Sequence, residues 1–152
     1  GLPGGSWQPL IAAAPSGGAR VRVASPGPAD PAGAERVIRA AFETVYSSDR
    51  SDEARMAAIE GGDQLGRTME QARQARRRLR GTTEMTIAVE SVRFLTINAA
   101  EVAFELRFPT EPLSRLPVTG TAVLIDGAWK VARQTYCKLV ESLGVQCPPT
   151  TP

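Results

Sequence analysis

Residues 102–131 read VAFELRFPTEPLSRLPVTGTAVLIDGAWKV, and this stretch decides the fold. Val102, Phe104, Leu106 and Phe108 are apolar at every second position, the pattern of a strand with one buried face. After a Pro-punctuated loop (Pro109, Pro112, Pro117), two β-like runs over 118–125 and 128–134 flank Asp126-Gly127. Asp-Gly between two such runs predicts a hairpin, because a tight primed turn needs positive φ at both central residues. Upstream, Met85, Ile87 and Val89 alternate, and then the phase slips so that Val92 and Phe94 continue the pattern. One extra residue near Glu90-Ser91 would produce that slip, which is how a β-bulge reads in sequence. Asn98-Ala99-Ala100-Glu101 is the expected turn into the next strand. The prediction is four antiparallel strands, curved by the bulge.

N-terminal to these strands the period is helical. Asp30 is a good N-cap, Pro31 suits the first helical position, and Val37, Ile38, Ala41, Phe42 and Val45 recur at helical spacing. The first helix is expected over 31–47. A short second helix starts at Ser51 or Asp52, places Met56 and Ile59 on one face, and stops at Gly61-Gly62. Asp63 is expected to cap a third helix with Leu65, Met69, Ala72 and Leu79 as its apolar stripe, ending at Gly81. Past the strands, Tyr136, Leu139, Val140 and Leu143 mark a short C-terminal helix ending at Gly144. Helices followed by strands predict an α+β domain: a curved four-stranded antiparallel sheet packed on N-terminal helices.

The 152 residues suffice for one domain of ordinary size, and no run approaches the ~18 apolar residues of a membrane-spanning helix. Residues 1–33 hold 7 of the 14 Gly and 6 of the 12 Pro. Such a stretch buries too little apolar surface to order itself, so residues 1–30 read as a flexible linker, 31–148 as the domain and 149–152 as a tail. Trp7, Leu10 and Ile11, and the alternating run Arg20-Val21-Arg22-Val23, are the only hints of order within the linker. Because the chain opens on Gly1 rather than Met, a processed chain that has shed a targeting segment is expected.

The chain contains no histidine, which removes the usual general base and the commonest metal ligand. Its two cysteines, Cys137 and Cys147, lie ten apart. A metal site would need further soft or imidazole ligands that the chain lacks, and the spacing is not that of a C-x-x-C redox pair. What is left is a structural disulfide or two free thiols. The disulfide is the expectation, and it would place the domain in an oxidising, extracytoplasmic compartment. No metal and no cofactor are expected.

Of the 18 cations only Lys130 and Lys138 are lysine, and this Arg bias, with abundant Ala, Gly and Pro, fits a GC-rich, actinobacterial genome. The net charge of +2 hides a pattern: residues 67–80 carry six Arg against Glu70 alone. Arg73, Arg76, Arg77, Arg78 and Arg80 are a candidate surface for anionic lipid or polymer. They are equally readable as a solvated face whose cations favour the negative end of the helix. No aromatic residue interleaves with them, so nucleic acid is not an expected partner.

Ile59-Glu60-Gly61-Gly62, the Ala/Arg-rich helix, Thr86-Ile87-Ala88-Val89-Glu90-Ser91-Val92, Val118-Thr119-Gly120-Thr121-Ala122-Val123 and Asp126-Gly127-Ala128-Trp129-Lys130-Val131-Ala132-Arg133 together resemble one family. It is the low-molecular-weight secreted antigen family of mycobacteria and related exported actinobacterial proteins. The resemblance spans roughly residues 34–147 and implies the cystatin-like, NTF2-like cone fold and export, with no established enzymatic activity. Thr135-Tyr136-Cys137 and Cys147-Pro148 resemble exported members that close their C-terminus with a disulfide.

The implied cone often holds a pocket between the concave sheet and the helices, a default ligand site. Its candidate lining is Tyr46, Phe42, Phe104 and Trp129, although a Trp just past a hairpin turn also reads as core. Enzymes of this fold pair a carboxylate with a Tyr or a protonated acid. Here that pair would be Tyr46 with Glu90, Glu101, Glu105 or Asp126. Glu105 alternates out of phase with Phe104 and Leu106, and Asp126 is most simply the turn residue. Arg93, Arg107 and Arg133 alternate with apolar neighbours and are expected on the outer face. The leading expectation is an exported, non-catalytic binding or accessory domain at the cell envelope, whose partner is a small apolar ligand or an envelope protein. An isomerase or cyclase using Tyr46 and a carboxylate, and a binder of anionic lipid or polymer through the third helix, are the alternatives.

Overall fold

The computed structural model describes residues 27–111 and 113–150. Most of the expected linker, with Trp7, Leu10, Ile11 and the run 20–23, lies outside the described residues, as do the last two residues of the tail.

Helix α1 (Pro31–Tyr46) starts as its sequence predicts, with Asp30 Oδ1 accepting from Gly33 N at 3.1 Å and Pro31 in the first turn. Its buried face is Ala34, Ile38, Phe42, Val45 and Tyr46, so Val37 falls off the stripe and is 51% exposed. Helix α2 (Asp52–Ala57) is capped by Ser51, whose Oγ accepts from Ala54 N at 3.1 Å. Helix α3 (Gly66–Arg80) begins later than expected. Residues Gly62–Gln64 form a 3-10 turn, with Leu65 N donating to the Gly62 carbonyl, so Asp63 lies in this turn and does not cap α3. The helix buries Thr68, Met69, Ala72 and Ala75. Leu79, ten residues past Met69 and therefore roughly 80° round the helix, is 67% exposed and leaves the expected stripe.

The strands are β1 (Thr86–Thr96), β2 (Ala99–Arg107), β3 (Arg115–Ile125) and β4 (Ala128–Val131), joined as an antiparallel meander in the order β1-β2-β3-β4. The bulge falls at Glu90, between the pairs Val89–Phe104 and Ser91–Ala103, and a second lies at Leu95. Thr96 pairs with Ala99, so the turn is two residues shorter than Asn98–Glu101 suggests. Asp126 and Gly127 have φ of 51° and 81°, which is the primed turn expected of Asp-Gly.

Register puts Val89, Phe104 and Val118 in one inward-facing row, and Val92, Val102 and Gly120 in another. Glycine is required at 120, because helix α4 (Arg133–Glu141) starts directly over it. A Cβ there would lie 3.2 Å from Thr135 Oγ1 and 3.4 Å from Phe104 Cε1. Thr135 Oγ1 in turn accepts from Thr121 N at 2.9 Å. Strand β4 ends at Val131, short of the expected 134, since the chain after α2 closes on its free edge. Glu60 N donates to the Val131 carbonyl at 2.9 Å and Val131 N to the Ala58 carbonyl at 2.8 Å. That cover removes an open edge.

Cys137 and Cys147 form the expected disulfide, with Cα atoms 5.8 Å apart, tying the segment after α4 back to the helix. In the chain-entropy view a loop of this size contributes about 2.5–3 kcal/mol. The result is an α+β domain whose curved sheet wraps α1, with Phe42, Phe104, Ile38 and Val102 at the centre of the core.

Candidate functional site

A cavity of about 300 Å³ opens between the end of α1, the faces of α3 and α4, and the end of the sheet where β2 passes into β3. Helical spacing builds two of its walls. On α3, Arg76 and Arg80 stand seven and eleven residues past Met69 on one face; on α4, Tyr136, Leu139 and Val140 follow the i, i+3, i+4 rule, and Leu143 joins them from the turn after the helix. Val45, Met85, Leu106, Phe108 and Leu116 supply further apolar surface. Its polar groups are Tyr46, Tyr136, Arg55, Arg76, Arg80 and Ser142.

Tyr46, the last residue of α1, is 3% exposed, stacks on Phe104 with ring centroids 5.2 Å apart, and has no partner for its hydroxyl among the described residues. Arg55 is 6% exposed. Its Nη1 donates to Asp52 Oδ1 at 3.1 Å and its Nη2 to the Ser47 carbonyl at 2.8 Å, while its Nε has no partner among the described residues. Arg76 has a buried, unpartnered Nε and makes no hydrogen bond or ion pair among the described residues. Arg80 lies over the Phe108 ring, 3.7 Å from its centroid, and donates to the Leu113 carbonyl at 2.7 Å.

Burial, more than any charge, sets the titration of this site. It raises the Tyr46 hydroxyl far above the usual phenol range, with Tyr136 adding to the effect. Tyr136 is pushed up to about 12, burial again outweighing the lowering by Arg76 and Arg55. Arg76 is lowered, chiefly by burial, with Arg55 and Arg73 lowering it further against Tyr136 and Asp52. Both tyrosines hold their protons more tightly folded than unfolded, so the stability they contribute is complete below pH 10. It is lost as pH rises from there through about 12. Tyr136 alone should therefore lower the free energy of unfolding by on the order of 2 kcal/mol between pH 9 and pH 11.5, with Tyr46 adding to the loss, and Tyr136→Phe should make the profile shallower without abolishing it. A midpoint independent of pH over that window contradicts this account.

Of the candidate pocket residues, Tyr46 lines the cavity. Phe42 and Phe104 sit behind it, in edge contact with each other at 5.3 Å. Trp129 is buried against Phe94, ring centroids 5.9 Å apart, and is not among the residues lining this cavity. None of the candidate carboxylates is brought to Tyr46. Glu90 is exposed, Glu101 pairs with Arg93 at 2.5 Å, Glu105 pairs with Arg107 at 2.8 Å, and Asp126 occupies the turn. Arg93 and Arg107 thus face outward as expected. Arg133 does not: it opens α4, its backbone N donates to Glu60 Oε1 at 3.1 Å, and its Nη2 donates to the Pro148 carbonyl. It lies beyond the end of the last strand, so strand alternation does not govern it.

The arginines of α3 divide. Arg76 and Arg80 turn to the cavity, Arg73 pairs with Glu70 and Asp52, and only Arg77 and Arg78 of the five are exposed. Arg55 was not visible as a site residue: α2 is only six residues long, and an arginine in it reads as solvated. Chemically the arrangement holds and orients. Among the described residues lining it there is no carboxylate.

No curated protein sequence matches the chain. A crystal structure described as an NTF2-like transpeptidase of Campylobacter jejuni is similar at 17% identity and a TM-score of 0.41, over 64% of this chain and 95% of that one. That is too distant to bear on what this chain does. The family model for the low molecular weight antigen MTB12, C-terminal domain, matches residues 29–147, a span that includes every helix and strand of the domain together with both cysteines. The chain belongs to the low molecular weight antigen MTB12 C-terminal domain family.

Proposed function

We propose that this domain is an exported, non-catalytic binding module of the cell envelope that holds a small, largely apolar ligand in the cavity between α1, α3 and α4. The observation that carries the proposal is the cavity itself. A cleft of about 300 Å³ lined mainly by Leu, Val, Met and aromatic side chains with a few polar groups lies beside the core, and concave, mostly apolar clefts of this size are the usual form of a small-molecule site. Catalysis is disfavoured by the same lining: two tyrosines with raised pKa and three arginines offer no general base at neutral pH. The disulfide supports an oxidising compartment.

A neutral, apolar fluorescent probe such as N-phenyl-1-naphthylamine should bind saturably at one site, with Kd of roughly tens to hundreds of micromolar for a ligand of that size. Leu143→Trp, which places a large ring in the cavity, should weaken binding at least tenfold while leaving the circular dichroism spectrum unchanged. Non-saturable fluorescence, or binding indifferent to the Trp, removes the proposal.

A further inference from the structure

The polar end of the cavity says what kind of ligand it takes. Three arginines and no carboxylate line the cavity among the described residues, and Tyr46 Oη, Arg55 Nε and Arg76 Nε are buried with no hydrogen-bond partner among those residues. The arrangement is selective, because neighbouring donors are satisfied. Arg55 spends its two terminal nitrogens on Asp52 and the Ser47 carbonyl, and Arg80 spends Nη1 on the Leu113 carbonyl. Ser142 Oγ donates to the Leu139 carbonyl at 2.5 Å. The one carboxylate next to this cluster, Asp52, is already shared between Arg55 and Arg73. A guanidinium set in an apolar lining without a counter-charge is costly. An anion with several acceptor oxygens relieves that deficit.

Resting on the reading of this cavity as a ligand site, we infer that its ligand is an anion-headed amphiphile, a carboxylate or phosphate monoester whose oxygens meet the terminal nitrogens of Arg76. Its short apolar body lies against Leu139, Val140 and Leu143. At about 30 Å³ per water-sized group, the cavity takes on the order of ten such groups, so an eight-carbon chain with its head fits. The depression of the Arg76 pKa is in keeping with this geometry, since it reports a guanidinium lacking compensation.

The test is calorimetric titration of the full chain at pH 7.5 with octanoate, octyl phosphate, 1-octanol and octylammonium. Octanoate and octyl phosphate should each bind at least tenfold more tightly than octanol, and octylammonium least of all; the stronger of the two anions identifies the head group. Arg76→Met should cost at least tenfold for the anions and less than threefold for octanol. Arg76→Lys should recover part of the loss, and Arg77→Gln with Arg78→Gln should change nothing. Octanol binding as tightly as octanoate overturns the anionic inference and leaves the apolar site standing. Anion binding that survives Arg76→Met but falls with the Arg77 and Arg78 substitutions overturns it too, by moving the contact to the helix surface. Failure of all four probes overturns this inference and the binding-module reading together.

Discussion

Replacing Phe104 by Ala should lower the free energy of unfolding by about 3 to 5 kcal/mol, the upper range for a buried aromatic. Phe104 is the hub of the core. Its ring stacks on Tyr46 at 5.2 Å, meets Phe42 edge-on at 5.3 Å, and sits in the row between Val89 and Val118 on the neighbouring strands. These three rings come from two elements far apart in the chain, so the void left by Ala cannot close unless α1 moves toward the sheet. Rigid interiors relax only partly, which adds a cavity cost to the lost burial. Chemical denaturation of the wild type and of Phe104→Ala measures the difference through the midpoint at constant slope. A loss under 1.5 kcal/mol would show that α1 repacks freely, and the cavity geometry would then be soft as well. Trp129→Ala is the informative comparison, because Trp129 packs with Phe94 in a separate aromatic contact.

Gly62, in the turn between α2 and α3, and Gly66, four residues on at the start of α3, should respond to Ala in opposite directions. At Gly62 an added Cβ would overlap the Met56 carbonyl oxygen and lie only 2.8 Å from its carbon. The clash is with backbone, so no side-chain rotation relieves it. Gly62 also donates to the Ile59 carbonyl and accepts from Leu65, holding the turn that feeds the Glu60–Val131 bridge. Gly62→Ala should therefore cost on the order of 3 kcal/mol, at the top of the range for forced overpacking, and should expose the free edge of β4. At Gly66 the same Cβ meets only the Met56 side chain at 3.7 Å, an ordinary contact, in the first turn of α3. Gly66→Ala should stabilise by up to about 1 kcal/mol through helix propensity and a less flexible unfolded chain. If Gly62→Ala proves as benign as Gly66→Ala, the turn has more freedom than its hydrogen bonds imply.

The unequal legibility of these features has a physical cause. Strand β2 was readable because period-two alternation reports burial on one face directly, and the Asp126-Gly127 turn because few residues tolerate positive φ. The start of α3 was misplaced because Asp63 is a good cap in isolation, whereas the hydrogen bonds from Gly62 N and Leu65 N keep the chain in a 3-10 turn past it. The second bulge at Leu95 left no clear phase slip, since the turn follows at once and there is no further alternation to compare.

The candidate site divides along the same line. Tyr46 could be singled out from its place at the end of α1, and the α4 residues from their stripe. That Arg55 and Arg76 join Tyr46 could not, because three helices contribute one residue each and their mutual angles depend on how all of them dock on the sheet. By itself, then, the sequence determined the local matters: helix and strand content, the Glu90 bulge, the hairpin and the α+β class, each of which follows from spacing or from a single residue's backbone preference. Only the tertiary structure decided which of the α3 arginines face inward, which carboxylates stay away from Tyr46, and that Tyr46, Arg55 and Arg76 line one cavity. Those outcomes depend on long-range packing, where the cost of a void or an unpaired charge is felt by residues with no sequence proximity at all.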